Sequence, residues 1–145
     1  MKKEFDRRMH SAEHILNQTM DRMFGCGRCI TAHIETKKSK CDYLLCRTLT
    51  DAEVLDVERR VNEVIQADMG VMEEFINRDE AAKHYNLARV PGDAGDSIRI
   101  VKIGDYDACP CIGPHVASTG EIGEFHITSV GFEDGVLRIR YKLRS

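Results

Sequence analysis

The chain has no tryptophan, three prolines and only 6% aromatic residues. Tyr43, Tyr85, Tyr106 and Phe125 are too few to form an aromatic platform for stacking bases. No apolar run approaches the ~20 residues of a membrane helix. Met1-Lys2-Lys3-Glu4-Phe5-Asp6 leads into no apolar signal-peptide core. A cytoplasmic protein with no membrane partner is therefore expected. There is no internal repeat and no low-complexity segment. What remains is ordinary: 145 residues, 42% hydrophobic and 31% charged. That suits one domain spanning residues 1–145, able to bury a core without help from a metal or a disulfide.

The net charge of -3 hides an asymmetry. Residues 1–40 hold 9 Lys/Arg against 5 Asp/Glu, residues 41–135 hold 8 against 19, and residues 136–145 hold 4 against none. The acidic bulk excludes a nonspecific nucleic-acid binder, and DNA is not an expected partner. The two basic ends leave room for a local cationic patch.

Hydrophobic periodicity predicts a helix over Asp6–Phe24, with Met9, Ala12, Leu16, Met20 and Met23 on one face and Gly25 ending it. Ile30–Ile34 and Cys41–Thr48 read as a hairpin around a turn at Lys37–Lys40. Thr50-Asp51-Ala52-Glu53 is a capping-box pattern that opens a second helix, carrying Val54, Val57, Val61, Val64 and Ile65 and closed by Gly70. Val71–Ile76 suits a strand, Asp79–Tyr85 a short helix and Pro91–Asp96 a loop. Ser97–Ile103, Phe125–Val130 and Val136–Leu143 read as strands, the last two joined at Glu133-Asp134-Gly135. In the final strand Leu137, Ile139, Tyr141 and Leu143 alternate with Arg138, Arg140, Lys142 and Arg144, so one face is apolar and the other cationic. The fold class is α+β: a mixed or antiparallel sheet with helices packed on it.

Six cysteines in a reducing compartment point to metal, catalysis or buried thiols before disulfides. His10 and His14 are four apart on the first helix and share a face. Glu13 directly precedes His14, so this is not H-E-x-x-H, where the glutamate follows the first histidine. Asp107-Ala108-Cys109-Pro110-Cys111-Ile112-Gly113-Pro114-His115 gathers thiols and an imidazole in a segment whose prolines and glycine forbid a regular helix or a central strand. Imidazole and thiolate are zinc ligands. His10, His14, Cys111 and His115 form the candidate set, with Cys109 able to substitute for one. Cys26-Gly27-Arg28-Cys29 with Cys41 and Cys46 has the form of a second zinc site or a redox pair. Cys41 and Cys46 differ by an odd number, however, and would face opposite sides of one strand. Free thiols are the expectation there. His33, His84 and His126 are read as structural.

His10-Ser11-Ala12-Glu13-His14, Cys111-Ile112-Gly113-Pro114-His115-Val116 and Thr119-Gly120-Glu121-Ile122-Gly123 together resemble the editing domain shared by alanyl- and threonyl-tRNA synthetases. That domain also occurs alone as trans-editing proteins of the AlaX type. Leu49–Glu53 and Val57–Ile65 resemble the helix of that family. The likeness runs from about Asp6 to about Arg140. Gly113-Pro114-His115 is nearer the threonyl type, and Thr119–Gly123 with the helix nearer the alanyl type.

The resemblance implies a hydrolase that removes a wrong amino acid from the 3′ end of a tRNA. Its target would be serine or glycine on alanine tRNA, or alternatively serine on threonine tRNA. For the alanyl type it also implies Zn2+ at His10, His14, Cys111 and His115, whereas the threonyl type does not need zinc in every case. A catalytic zinc needs an open position, so water is expected at one of the four in the resting enzyme. Such an activity has a purpose, because a synthetase pocket cannot strongly reject an isostere that merely adds a hydroxyl. The family has an acidic residue two before the motif cysteine. Here Cys109 stands there, which moves the acidic role to Asp107 or removes it. Cys109 keeps open an inert module that binds tRNA or a synthetase, and a zinc or redox protein without a tRNA role. No β-barrel-like segment precedes the first helix, which matches the short AlaX form. Thr31 falls near a pocket threonine of the alanyl type. Lys37, Lys38, Lys40, Arg138 and Arg140, with Lys142 and Arg144 beyond them, are candidate contacts to tRNA phosphates. Arg7 and Arg8 are placed to approach the acceptor end.

Overall fold

The computed structural model describes residues 6–87, 90 and 95–144. Its elements, in chain order, are α1 (Arg7–Phe24), β1 (Thr31–His33), β2 (Ser39–Leu44), α2 (Asp51–Gln66), β3 (Val71–Asn77), α3 (Arg78–His84), β4 (Ser97–Ile103), β5 (Asp107–Pro110), a 3-10 turn (Thr119–Ile122), β6 (Glu124–Glu133) and β7 (Val136–Arg144). The strands form two antiparallel sheets, in the orders β1-β2-β7-β6 and β3-β4-β5. The α+β class holds, with two sheets in place of one.

α1 begins where the Asp6 carboxylate accepts from Met9 N at 3.0 Å, and ends at Gly25, whose φ of 64° is left-handed. The helix is buried on more than its apolar stripe. Met9, Ala12, Ile15, Leu16 and Met20 enter the main core, and His10, Ser11, Glu13, His14, Asn17 and Thr19 are buried too. α2 has the reciprocal Thr50/Glu53 capping box and packs Val57, Val61, Val64 and Ile65 inward. Across them lie Tyr43, Leu137, Ile139 and Tyr141 from the inner face of the larger sheet, with Phe125 and Tyr141 rings 5.0 Å apart.

Several boundaries differ from the periodicity, for identifiable reasons. α2 stops at Gln66 rather than Gly70, because the buried Thr119 hydroxyl bonds Val64 O and Met69 N, each at 2.8 Å. β2 starts at Ser39, inside the expected turn, because Ser39 Oγ bonds Glu35 N and O and closes the hairpin loop. Asp107–Pro110, read as loop, is an edge strand that stops at Pro110, where the missing N–H faces no partner strand. The strand before Asp134-Gly135 runs on to Glu133, and that pair supplies the two positive φ values of a tight hairpin, 52° and 79°. Of the expected Pro91–Asp96 loop, Pro91–Ala94 lie outside the described residues. Among the described residues no helix is long and apolar enough to cross a membrane.

Candidate metal centre

α1 brings His10 and His14 to one end of the smaller sheet. There the segment after β5 delivers Cys111 and His115. One donor atom from each of the four lies within 4.8 Å of every other. His10 and His115 stack with ring centroids 4.1 Å apart, and His14 stands edge-on to both at 5.0 and 4.3 Å. Cys111 Sγ is 3.4 Å from His10 Nε2 and 3.4 Å from His115 Nε2.

The outward nitrogen of each imidazole is occupied. His10 Nδ1 donates to Pro114 O at 2.9 Å. His115 Nδ1 lies 2.9 Å from Ser11 Oγ, which also accepts from Val116 N. His14 Nδ1 is 3.2 Å from Cys109 Sγ and 3.6 Å from Asp107 Oδ2. Partners on Nδ1 fix a histidine's tautomer and leave Nε2 as the ligating atom. Gly113 makes this packing possible, since a Cβ there would stand 2.5 Å from His10 Cε1. Arg99 from β4 pairs with Glu73 and donates to Cys111 O at 3.1 Å and Gly113 O at 2.7 Å, which holds the loop closed.

The electrostatics favour a thiolate. Burial pushes the Cys111 thiol up, but hydrogen bonds from His10, His115 and His14 outweigh it and bring it down to about 3. Burial and the neighbouring imidazoles bring His115 down to about 4, against the opposing pull of Cys111. Burial also disfavours the charged form of His14, yet bonds to Asp107 and Cys109 raise it well above the usual range. Burial would raise Asp107, but His14 and Arg28 hold it below the ordinary carboxylate value.

Cys109 sits on the Nδ1 side of His14, in a separate potential donor group with His14 and Asp107. Asp107 itself is 4% exposed and accepts from Arg28 at 2.8 and 3.2 Å and from Gln18 at 3.0 Å. Asp107, two residues before Cys109 on β5, is thus the carboxylate that lies beside His14. Sequence reasoning passed over Ser11, Glu13, Arg28, Arg99 and Gly113. Only Glu13 had a local signal, its place between the two histidines. The others are brought in by residues distant in sequence.

The four-cysteine arrangement does not form. Cys46 is exposed beyond β2, and Cys26 bonds backbone carbonyls near its own turn. Cys29 and Cys41 are both buried beside Glu13, and Cys29 Sγ donates to Glu13 Oε2 at 3.5 Å. The cysteines of the described residues are free thiols.

The basic residues divide. Lys40 and Arg140 are register partners, with His33 opposite Lys40, and with Lys38, Glu35 and Ser39 they line a pocket of about 240 Å³. Lys37 is exposed on the loop just before β2. Arg138 instead makes a two-pronged ion pair with Asp42, at 2.8 and 3.0 Å. The Thr31 hydroxyl donates to the same carboxylate at 2.9 Å. Arg7, Arg8 and Arg99 line a larger cleft of about 670 Å³ that reaches His115 and Val116. His84 and His126 lie beside Glu80 and Glu58.

A family model described as the threonyl and alanyl tRNA synthetase second additional domain matches residues 98–140. That stretch runs from β4 through the Cys111–His115 loop into β7. Alanine--tRNA ligase of Methanopyrus kandleri is 33% identical over 142 residues, covering 92% of this chain. The ligase of Fervidobacterium nodosum is 35% identical over 130 residues and that of Coxiella burnetii 36% over 135, covering 89% and 91% of this chain. The chain belongs to the second-additional-domain family of these synthetases. It spans about 15% of the length of the first two relatives and 16% of the third. The His/Cys group takes Cys111 and His115 from the matched segment and His10 and His14 from α1, outside it.

Proposed function

We propose that this domain hydrolyses the ester between a wrong amino acid and the 3′ end of a tRNA. The proposed substrate is serine or glycine on alanine tRNA, with serine on threonine tRNA as the alternative. The observation that carries the reading is the convergence of His10, His14, Cys111 and His115 from opposite ends of the chain onto one point. Kinship with alanine--tRNA ligases supports a role in tRNA editing and favours the alanine tRNA.

The donor set fits zinc: three imidazoles with engaged Nδ1 atoms and a thiol already biased to thiolate. When bound, the ion would polarise the ester carbonyl and make water a better nucleophile at neutral pH. The protein's own part is positioning. Pro114 O, Ser11, Asp107 and Cys109 hold the three rings. Arg7 and Arg8 place positive charge along the cleft beside His115, where the phosphates of an acceptor end would lie, while the charge of Arg99 in the same cleft is taken up by Glu73. Lys37, Lys38, Lys40 and Arg140 offer a second contact to the tRNA backbone, without Arg138, whose charge Asp42 takes up.

The test is deacylation of Ser-tRNA(Ala), Gly-tRNA(Ala) and Ser-tRNA(Thr) by the purified chain, with His10→Ala as control and metal content measured alongside. Release from one of them, abolished in the variant, establishes the activity and its tRNA. Release from none, with correctly charged tRNAs also intact, overturns the reading and leaves a binding module.

A further inference from the structure

Glu13 is a buried carboxylate, 7% exposed, that the ligand set does not use. Its Oε1 lies 3.9 Å from His10 Nε2 and 3.8 Å from His14 Nε2. These are the inward nitrogens of the two rings, since each Nδ1 is turned to its own partner on the far side. One carboxylate oxygen therefore faces the space that both imidazoles address. It is too far from either nitrogen for a direct hydrogen bond and near enough for one water to lie between. Its other oxygen accepts from the Cys29 thiol at 3.5 Å, and Cys41 packs against the same pair, so the carboxylate's orientation is fixed from behind. Asp107, the other acid near these rings, approaches His14 from the Nδ1 side and does not reach this space.

Resting on the deacylase reading above, we propose that Glu13 is the general base of the reaction, taking a proton from the attacking water through Oε1. One O–H bond of the water breaks and its proton passes to Glu13. The water oxygen forms the new bond to the ester carbon. The ester bond to the ribose 3′ oxygen then breaks, and that oxygen leaves with the proton Glu13 held. The balance needs only water and the aminoacyl ester. His10-x-x-Glu13-His14 is the inverse of the H-E-x-x-H order, in which a helix likewise sets a glutamate beside two ligating histidines to act as a base. Cys29 is a positioning residue behind the base.

The experiment compares the full wild-type chain with Glu13→Gln, reading metal content, the thiolate absorption band of the cobalt(II)-loaded protein, and deacylation. Glutamine keeps the shape and removes the proton acceptor. The expected result is unchanged metal content and cobalt spectrum, unchanged KM, and kcat lower by about 10²–10⁴-fold. A Gln variant within about threefold of wild type overturns the proposal, because a general base contributes far more. Loss of the metal or a changed cobalt band also overturns it, by making Glu13 a ligand. If Glu13→Gln does not fold, Glu13→Asp decides in the same terms: kcat lowered with metal and KM retained supports the role, and an unchanged rate overturns it. Wild-type protein inactive on all three mischarged tRNAs overturns the deacylase reading itself, a failure seen before any variant is compared.

Discussion

The His/Cys centre and the outward face of β2 and β7 both gather ionisable side chains from distant parts of the chain, in opposite surroundings. At the centre, His10, His14 and Asp107 are buried and each polar atom has a defined partner. On the sheet face, Lys37 and Lys38 are exposed and Lys40 and Arg140 half-buried around a shallow pocket. Desolvation makes each interaction at the centre strong and each missing partner costly. Solvent and salt make those on the face weak singly and effective only as a group. Ionisable side chains thus build a buried, fully partnered site in one place and a solvent-facing surface in the other.

That contrast sets an order of expected effects. The largest follows from removing a ligand-type side chain. Cys111→Ala or His14→Ala should lose bound zinc and reduce deacylation by more than about 100-fold, since even the outer partners of metal ligands are worth 10–100-fold. Metal analysis and single-turnover rates check this, and an active variant without zinc would break the comparison.

Next is Asp107→Asn, which leaves the Arg28 guanidinium and His14 with a weaker partner. Because Arg28 is 34% exposed, the expected loss is about 2 kcal/mol, below the 3–5 of a fully buried pair. Urea denaturation at neutral pH measures it.

Gly113→Ala puts a methyl group against His10, so metal affinity should fall by about tenfold while the fold stays intact. Equal affinity would show that the loop yields more readily than its bonds to Arg99 imply.

On the sheet face, Lys40→Ala with Arg140→Ala should weaken tRNA binding a few-fold and lower the salt slope by about two, roughly one for each phosphate that is no longer neutralised. Binding titrations at several salt concentrations read this directly.

The smallest effect is that of Asp42. The Arg138 guanidinium holds its carboxyl below the usual range. Its contribution to stability is present above about pH 4, the unfolded value, and fades as the pH falls through the lower folded one. Asp42→Asn should therefore flatten part of the acid limb of stability, with its small loss present in full at pH 7 and shrinking as the pH falls towards 3, as denaturation from pH 3 to 7 would show.

Much of this was legible in the sequence, for identifiable reasons. α1 and α2 declare themselves because Asp6, Gly25 and the Thr50/Glu53 box are local devices that act within a few residues of their own helix ends. The hairpin at Asp134-Gly135 is equally local. The four ligand-type residues stood out because their chemistry is unusual and their spacing on α1 is helical. The edge strand β5 was hidden, since Pro110 and Gly113 mark a turn whether or not β4 lies alongside. The fates of Cys29 and Cys41 were hidden as well. That they are free thiols follows from the odd spacing of Cys41 and Cys46, but no local pattern shows that the hairpin register turns Cys41 inward toward Glu13. Arg138 looked as free as Arg140 until the register set it opposite Asp42.

By itself the sequence determined the periods, the caps, the turns and the stock of donors, because each depends on neighbours a few residues away. Only the tertiary structure decided which donors meet. It placed residues 10 and 14 against residues 111 and 115, brought Asp107 beside His14, and set Glu13 between the imidazoles and the thiols. The His10–Cys111 pairing alone spans 101 residues of chain. These pairings are fixed by which faces the two sheets bury against α1, and no local pattern carries that information.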